Sequence, residues 1–252
     1  MKNSGLILGM VLSVGLVGCG GGGGGGGTSA DNGTSAGGST SAGGSNSEES
    51  SAAKFSGNGI YVNQLTSTAM LIDSSRAKSN LVFGDFTDDT VFIAHNGTTT
   101  TNQMKTVGLT VVTSTIAYTD EEQEMTATFS GKSVTLNAVL DDENLIYSMD
   151  KTSDSLELGK IVGTHTNPED GSTWTINSDG SFIINSDCTI SGNLVRNGSY
   201  FDIKGAQAVS CAEAEMNGSY DGVLLTVELN GINRIAGILG NENYSLWGNS
   251  PI

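Results

Sequence analysis

Side chains that readily do chemistry are sparse in this chain, which has two histidines and three cysteines. His95 ends an apolar, strand-like run just before Asn96-Gly97, and His165 opens a second run far downstream. Neither has further ligands at a spacing that would build a metal site. Acidic residues cluster at Asp85 with Asp88-Asp89, at Asp120-Glu121-Glu122 with Glu124, and at Asp141-Asp142-Glu143. A calcium loop needs oxygen ligands at fixed positions. These clusters lack that pattern and read as solvated turns between apolar runs. Glycosidic carboxylates must converge beside sugar-stacking aromatics, but Trp174 and Trp247 are the only tryptophans and read as barrel core. Ser130-Gly131-Lys132-Ser133 resembles the end of a phosphate loop, yet Thr126 stands where the upstream glycine belongs. Gly33-Thr34-Ser35-Ala36-Gly37 fits the nucleophile-elbow spacing, but it lies in low-complexity sequence with no strand before it and no helix after it. The run Gly20–Gly27 matches a dinucleotide fingerprint only trivially. The residues therefore predict no catalytic group, no metal, no cofactor and no enzyme.

The strongest signal is an address. Lys2 supplies a short positive region, and Leu6 to Val17 is an apolar stretch of about a dozen residues, too short for a span of ~20. Leu16-Val17-Gly18-Cys19 follows and resembles the bacterial lipobox. That resemblance implies removal of the leader (1–19 in outline, cut before Cys19) and diacylglycerol and palmitate on the Cys19 thiol. Several acyl chains hold a protein stably on a membrane, where one alone holds it only marginally. Gly20 stands where related systems place the aspartate that retains lipoproteins in the inner membrane, so the outer membrane is the expected location.

Charge and cysteine usage fit that address. The chain carries 11 Lys plus Arg against 27 Asp plus Glu, a net charge of −16. Such a surface repels nucleic acid, whose recognition needs basic contacts. With Cys19 lipidated, Cys188 and Cys211 remain, an even pair in an exported protein, and a disulfide is expected. The loop it closes is worth roughly 3.5 kcal/mol by chain entropy.

Residues 20–54 are glycine, serine, threonine, alanine and asparagine in the main, and nothing there can offset the entropy of ordering. A disordered tether is expected, with an r.m.s. reach of ~30 Å. From Phe55 the pattern becomes β. Short runs such as Leu81-Val82-Phe83, Val91-Phe92-Ile93 and Val107 to Ile116 alternate with Asn-Gly and Asp-Gly pairs, which suit hairpin turns. Leu224, Thr226 and Glu228 should face opposite Leu225, Val227 and Leu229. One short helix is predicted over Ser153–Lys160, capped by Ser153 or Asp154.

The chain also repeats itself. Residues 59–75 align with 163–179 at an offset of 104, placing Tyr61 opposite His165, which argues for a packing role. Residues 125–131 align with 216–222 at an offset of 91, with the difference assigned to an insertion near Asp85 to Thr106. The expectation is an all-β antiparallel meander of two related units, 55–151 and 160–252. They form either two small barrels or two halves of one.

The series Gly163-Thr164-His165, Trp174 to Ser178, Asp179-Gly180, Asp187-Cys188, Gly192, Tyr200 to Ile203, Cys211 and Tyr220-Asp221-Gly222 resembles a family of uncharacterised proteobacterial outer-membrane lipoproteins. The resemblance covers about 90 residues and implies an all-β domain with a disulfide; it implies no activity. Anchor, tether and acidic β body are together similar in architecture to surface lipoproteins of the transferrin-binding and factor-H-binding kind, without a shared binding motif. The expected function is non-enzymatic binding by a monomer at the cell surface or in the periplasm. The partner is an unknown protein or small molecule. A periplasmic inhibitor or envelope-assembly accessory, and a carrier of a small apolar ligand, are the alternatives.

Overall fold

The computed structural model describes Gly9–Met10 and residues 54–252, except 114–116 and 141. Cys19 and nearly all of the expected leader and tether lie outside the described residues. A two-residue strand, β1 (Gly9–Met10), pairs with the last strand of the chain.

Everything else is an antiparallel meander, in two bodies. The first is a closed eight-stranded barrel: β2 (Gly59–Asn63), β3 (Thr68–Ile72), β4 (Leu81–Asp85), β5 (Thr90–Thr99), β6 (Gln103–Val112), β7 (Ala117–Ser130), β8 (Ser133–Leu140) and β9 (Glu143–Lys151). It closes where Tyr61 and Val62 pair with Lys151 and Asp150. The second is a nearly closed barrel of eight strands: β10 (Gly163–Thr166), β11 (Thr173–Ile176), β12 (Ser181–Asn185), β13 (Thr189–Asn197), β14 (Tyr200–Val209), β15 (Gly218–Leu229), β16 (Ile232–Gly240) and β17 (Tyr244–Pro251). Its two edge strands, β10 and β17, form no ladder; the Asn167 side chain spans from the β10–β11 turn to the Asn249 carbonyl, 3.2 Å away.

Period-two alternation explains the first lumen. Met70, Phe83, Met104, Leu109 and Ala127 point inward and are buried. Eight strands leave an interior just wide enough for side chains to fill, and methionine fits irregular gaps. The second lumen is built the same way from Trp174, Phe182, Ile190, Phe201, Ile203 and Leu224. A third apolar cluster lies between the bodies, where Ile60, Leu71, Val82 and Val91 on the outside of the first barrel meet Val223, Leu225, Val227, Ile238 and Trp247. Alternation fails along Val223–Val227 for that reason: one face of β15 fills a lumen and the other packs on the neighbouring body, so all five residues are buried. Trp174 is core as expected, whereas Trp247 sits in this seam against Phe86, ring centroids 5.6 Å apart.

The repeat at spacing 104 is structural. Gly59 pairs with Ile72 and Tyr61 with Met70; correspondingly, Gly163 pairs with Ile176 and His165 with Trp174. Tyr61 donates to the Gly57 carbonyl and His165 to the Ile161 carbonyl, both at 2.9 Å and both four residues back. The block at offset 91 does not correspond in this way: Gly131 turns the β7–β8 hairpin, while Gly222 lies inside β15, paired with Leu239. Asn230-Gly231 forms a two-residue hairpin with φ of 52° and 78°, the positive values that this pair tolerates. Asn96-Gly97, by contrast, lies within β5. The predicted helix is a single turn, α1 (Leu158–Ile161), and Glu157 at its N-cap makes no side-chain cap. Ser155 is occupied elsewhere: it accepts from Thr226 N–H at 3.0 Å while Thr226 Oγ1 accepts from Leu156 N–H at 2.7 Å. Cys188 and Cys211 are disulfide-bonded, flanking the open end of the β13–β14 hairpin.

Inside and outside should separate by mutation. Phe83→Ala, at a fully buried position, is expected to cost about 3–5 kcal/mol in urea unfolding. Ile146→Ala, 65% exposed on the same barrel, should stay within about 0.5 kcal/mol of wild type.

Candidate functional site

A cleft of about 770 Å3 opens where the bodies meet, within the range of small-molecule sites. The first barrel contributes the β3–β4 loop, with Arg76 and Lys78, and the outward side chains Val82, Ile93, His95 and Thr110. The second contributes Asp202 and Lys204 on β14, Asp221 and Val223 on β15, Ile238 on β16, and Asn241-Glu242 in the turn before β17. Val82, Val223 and Ile238 also line an adjoining apolar niche with Phe86 and Trp247. Ser245, at one end of the cleft, is the residue with which Gly9 pairs.

The cleft wall is fixed by a polar network that bridges the two bodies. Asp73 caps its own loop, accepting from Ser75 N–H at 2.9 Å and from Ser75 Oγ at 2.6 Å. Tyr200 donates to Asp73 Oδ2 at 2.8 Å. Arg76 Nη1 donates to Asp202 at 2.7 Å and to Tyr200 Oη at 3.2 Å. Asn197 Nδ2 completes the set, donating to Tyr200 Oη and Asp202. The Asn80 side chain donates to the Arg76 carbonyl and accepts from Gly97 N–H, tying the loop to β5. Burial pushes the Asp73 carboxyl upward, but the Ser75 and Tyr200 hydrogen bonds and the Arg76 charge outweigh it and hold it below its ordinary value. Burial, with Asp73 adding to it, pushes the Tyr200 phenol up. Arg76 Nε is buried without an acceptor among the described residues.

His95 lies on the outer face of β5, inside the strand. Its Nδ1 is 3.0 Å from Glu121 Oε2, its Nε2 is 2.7 Å from Thr110 Oγ1, and that hydroxyl is 2.9 Å from Thr119 Oγ1. Gly108, at a bulge with φ of 84°, makes room: a Cβ there would stand 2.7 Å from His95 Nδ1. The order carboxylate–imidazole–hydroxyl fixes one ring orientation. Thr110 is buried and shares its hydroxyl with Thr119, so the array is a hydrogen-bonded patch of the cleft wall. The acidic run 120–124 is therefore part of strand β7 and not a turn between elements. Asp85 does cap a turn, accepting from Thr87 and Asp88 N–H groups. Burial and the charges of Glu169 and Asp170 raise the Asp89 carboxyl, so acidic turns of the two bodies face each other. Among the described residues no three His, Cys, Asp or Glu side chains converge as a metal would require. Ser130-Gly131-Lys132-Ser133 is the β7–β8 hairpin. The nucleophile-elbow match, the glycine run and Asp141 lie outside the described residues.

Sequence reasoning pointed to His95 and His165; the structure brings only His95 to the cleft. It missed Asp73, Arg76, Lys78, Tyr200, Asp202 and Lys204. Partners such as Arg76 and Asp202, 126 residues apart, meet only after both bodies have folded and docked. No known family model, curated protein or solved structure matches the chain.

Shifted ionisations should shape pH stability: Asp73 on the acid side, and Tyr61 with the other buried phenols Tyr147, Tyr200 and Tyr220 on the alkaline side. Asp73 has a folded value below the usual ~3.9. Its contribution is therefore complete above about pH 5 and is lost as pH falls through the folded value. Burial pushes Tyr61 up to about 12, so its contribution is complete below the ordinary ~10 and is lost as pH rises toward the folded value. Thermal melts across pH should show both limbs, with Asp73→Asn flattening the acid one and Tyr61→Phe reducing the alkaline one. Tyr200→Phe, which removes one hydrogen bond each from Asp73, Arg76 and Asn197, is expected to cost about 1–3 kcal/mol at neutral pH.

Proposed function

We propose that this chain is a lipid-anchored lipoprotein of the outer membrane whose β body is a binding module, and that the cleft between the two bodies is its binding site. The anchor rests on Leu16-Val17-Gly18-Cys19 and the composition that follows it. The observation that carries the binding role is the cleft itself: an apolar floor and a charged rim, with walls set by a buried hydrogen-bonded network. Both lumens are filled by side chains, so space for a small ligand lies between the bodies. That favours a small-molecule partner over capture of a protein by a flat face.

Two measurements test this. Labelled palmitate should enter the wild-type protein in producing cells and not Cys19→Ala, with the labelled form in the outer-membrane fraction. Envelope extracts should raise the melting temperature of the mature chain and leave Ala77→Trp unmoved, since an indole at that exposed rim position is expected to obstruct the cleft. Equal stabilisation of both forms, or of neither, would remove the cleft from the mechanism.

A further inference from the structure

We propose that the cleft holds a single-chain amphiphile with a zwitterionic head, a lysophospholipid bearing both a phosphate and an ammonium. The proposal rests on the cleft being the ligand site and adds the chemistry of the ligand. The floor is apolar: Val82, Ile93, Val223 and Ile238 line it, and three of these continue into the niche beside Phe86 and Trp247. A hydrocarbon chain lying there keeps its surface from water, at about 0.8 kcal/mol per buried methylene. The rim is where the cleft departs from the rest of the protein. A chain of net charge −16 with only 11 cationic side chains places three of them, Arg76, Lys78 and Lys204, on this one cleft, against Asp202, Asp221 and Glu242. Arg76 and Asp202 satisfy each other at 2.7 Å. Lys78, Lys204, Asp221 and Glu242 have no ion-pair partner among the described residues. Two charges of each sign without an ion-pair partner thus line an apolar trough, Asp221 also accepting from Gly205 N–H at 2.7 Å. A fatty acid would answer only the lysines and set its carboxylate against Asp221 and Glu242; an alkylammonium would do the reverse. A head with phosphate toward Lys78 and Lys204 and ammonium toward Asp221 and Glu242 answers all four, as complementary potentials require.

Trp247 makes the test direct, because it lines the niche while Trp174, the other tryptophan, lies in the second lumen. Residues 20–252, exported behind a leader of ordinary type so that no acyl group of their own competes, are titrated with lysophosphatidylethanolamine brominated on its acyl chain, below the micelle concentration. We expect saturable partial quenching of tryptophan fluorescence, lost in Trp247→Phe. Lys78→Glu with Lys204→Glu, both exposed positions, should weaken binding about tenfold or more, and the brominated fatty acid and alkylammonium should each bind about tenfold more weakly than the zwitterion. If Trp247→Phe fails to fold, native mass spectrometry of the wild type with the same three lipids reads the same ranking. Absence of saturable binding by the zwitterion, equal binding of all three lipids, or indifference to the lysine reversals would overturn the proposal. Failure here with an envelope extract that still stabilises wild type and not Ala77→Trp would leave the cleft as the site and exclude the amphiphile. Failure of both would remove the cleft itself.

Discussion

Strand β15 is buried on both faces, and the arrangement of the two bodies follows from that constraint. Leu224 fills the second lumen while Val223, Leu225 and Val227 present an apolar face outward. A sheet with one wet face would carry polar residues there. Here that face must be covered, and the outer surface of β2 to β5 covers it with Ile60, Leu71, Val82 and Val91. Two convex barrels meeting along a strip must diverge beyond it. The cleft is that divergence, and its floor is the margin of the same apolar seam.

Within the seam, the Asp73–Tyr200–Arg76–Asp202 network does a different job from the apolar contacts. Burying charges costs more than most ion pairs return, so such a network adds little net stability. It does penalise every docking angle that leaves one of its members unpaired, because each lost partner strands a desolvated charge. Apolar burial is non-directional, whereas the network's hydrogen bonds demand one geometry. The Ser155–Thr226 exchange gives the linker the same kind of fixed register on β15.

How much of this was legible in the sequence depended on the range of the cause. Local causes were readable: the Asn230-Gly231 turn, the strand runs, and the hairpin repeat that places Tyr61 and His165 in equivalent registers. Errors arose where a local signal met a tertiary one. Asn96-Gly97 has turn chemistry, but its backbone is held by Asn80 from a neighbouring loop. Ser153 and Asp154 look like helix caps, yet the helix starts only at Leu158 and Ser155 is committed to Thr226. The alignment at offset 91 matched side-chain types in the sixth strand of each body while missing the register. The facing read along β15 held, with Leu224 in the second lumen and Leu225 and Val227 on the seam, but burial does not alternate because the first body covers the outer face. The cleft residues carried no sequence signal at all, since their proximity is a property of docking. The disulfide was the exception among long-range features, because cysteine parity encodes it without geometry.

The short seam that closes the first barrel has a bearing on the order in which the chain can fold as it emerges. Its closing pairs join residues about ninety positions apart, Tyr61 with Lys151 and Val62 with Asp150, while every other pairing in that body joins neighbours in the meander. A polypeptide that emerges from its N-terminus can stack its hairpins in order, but β2 keeps one bare edge until β9 arrives. The first body can then shut before the second has emerged. Its outer strip, which β15 covers in the finished fold, stays exposed until some seventy further residues have followed.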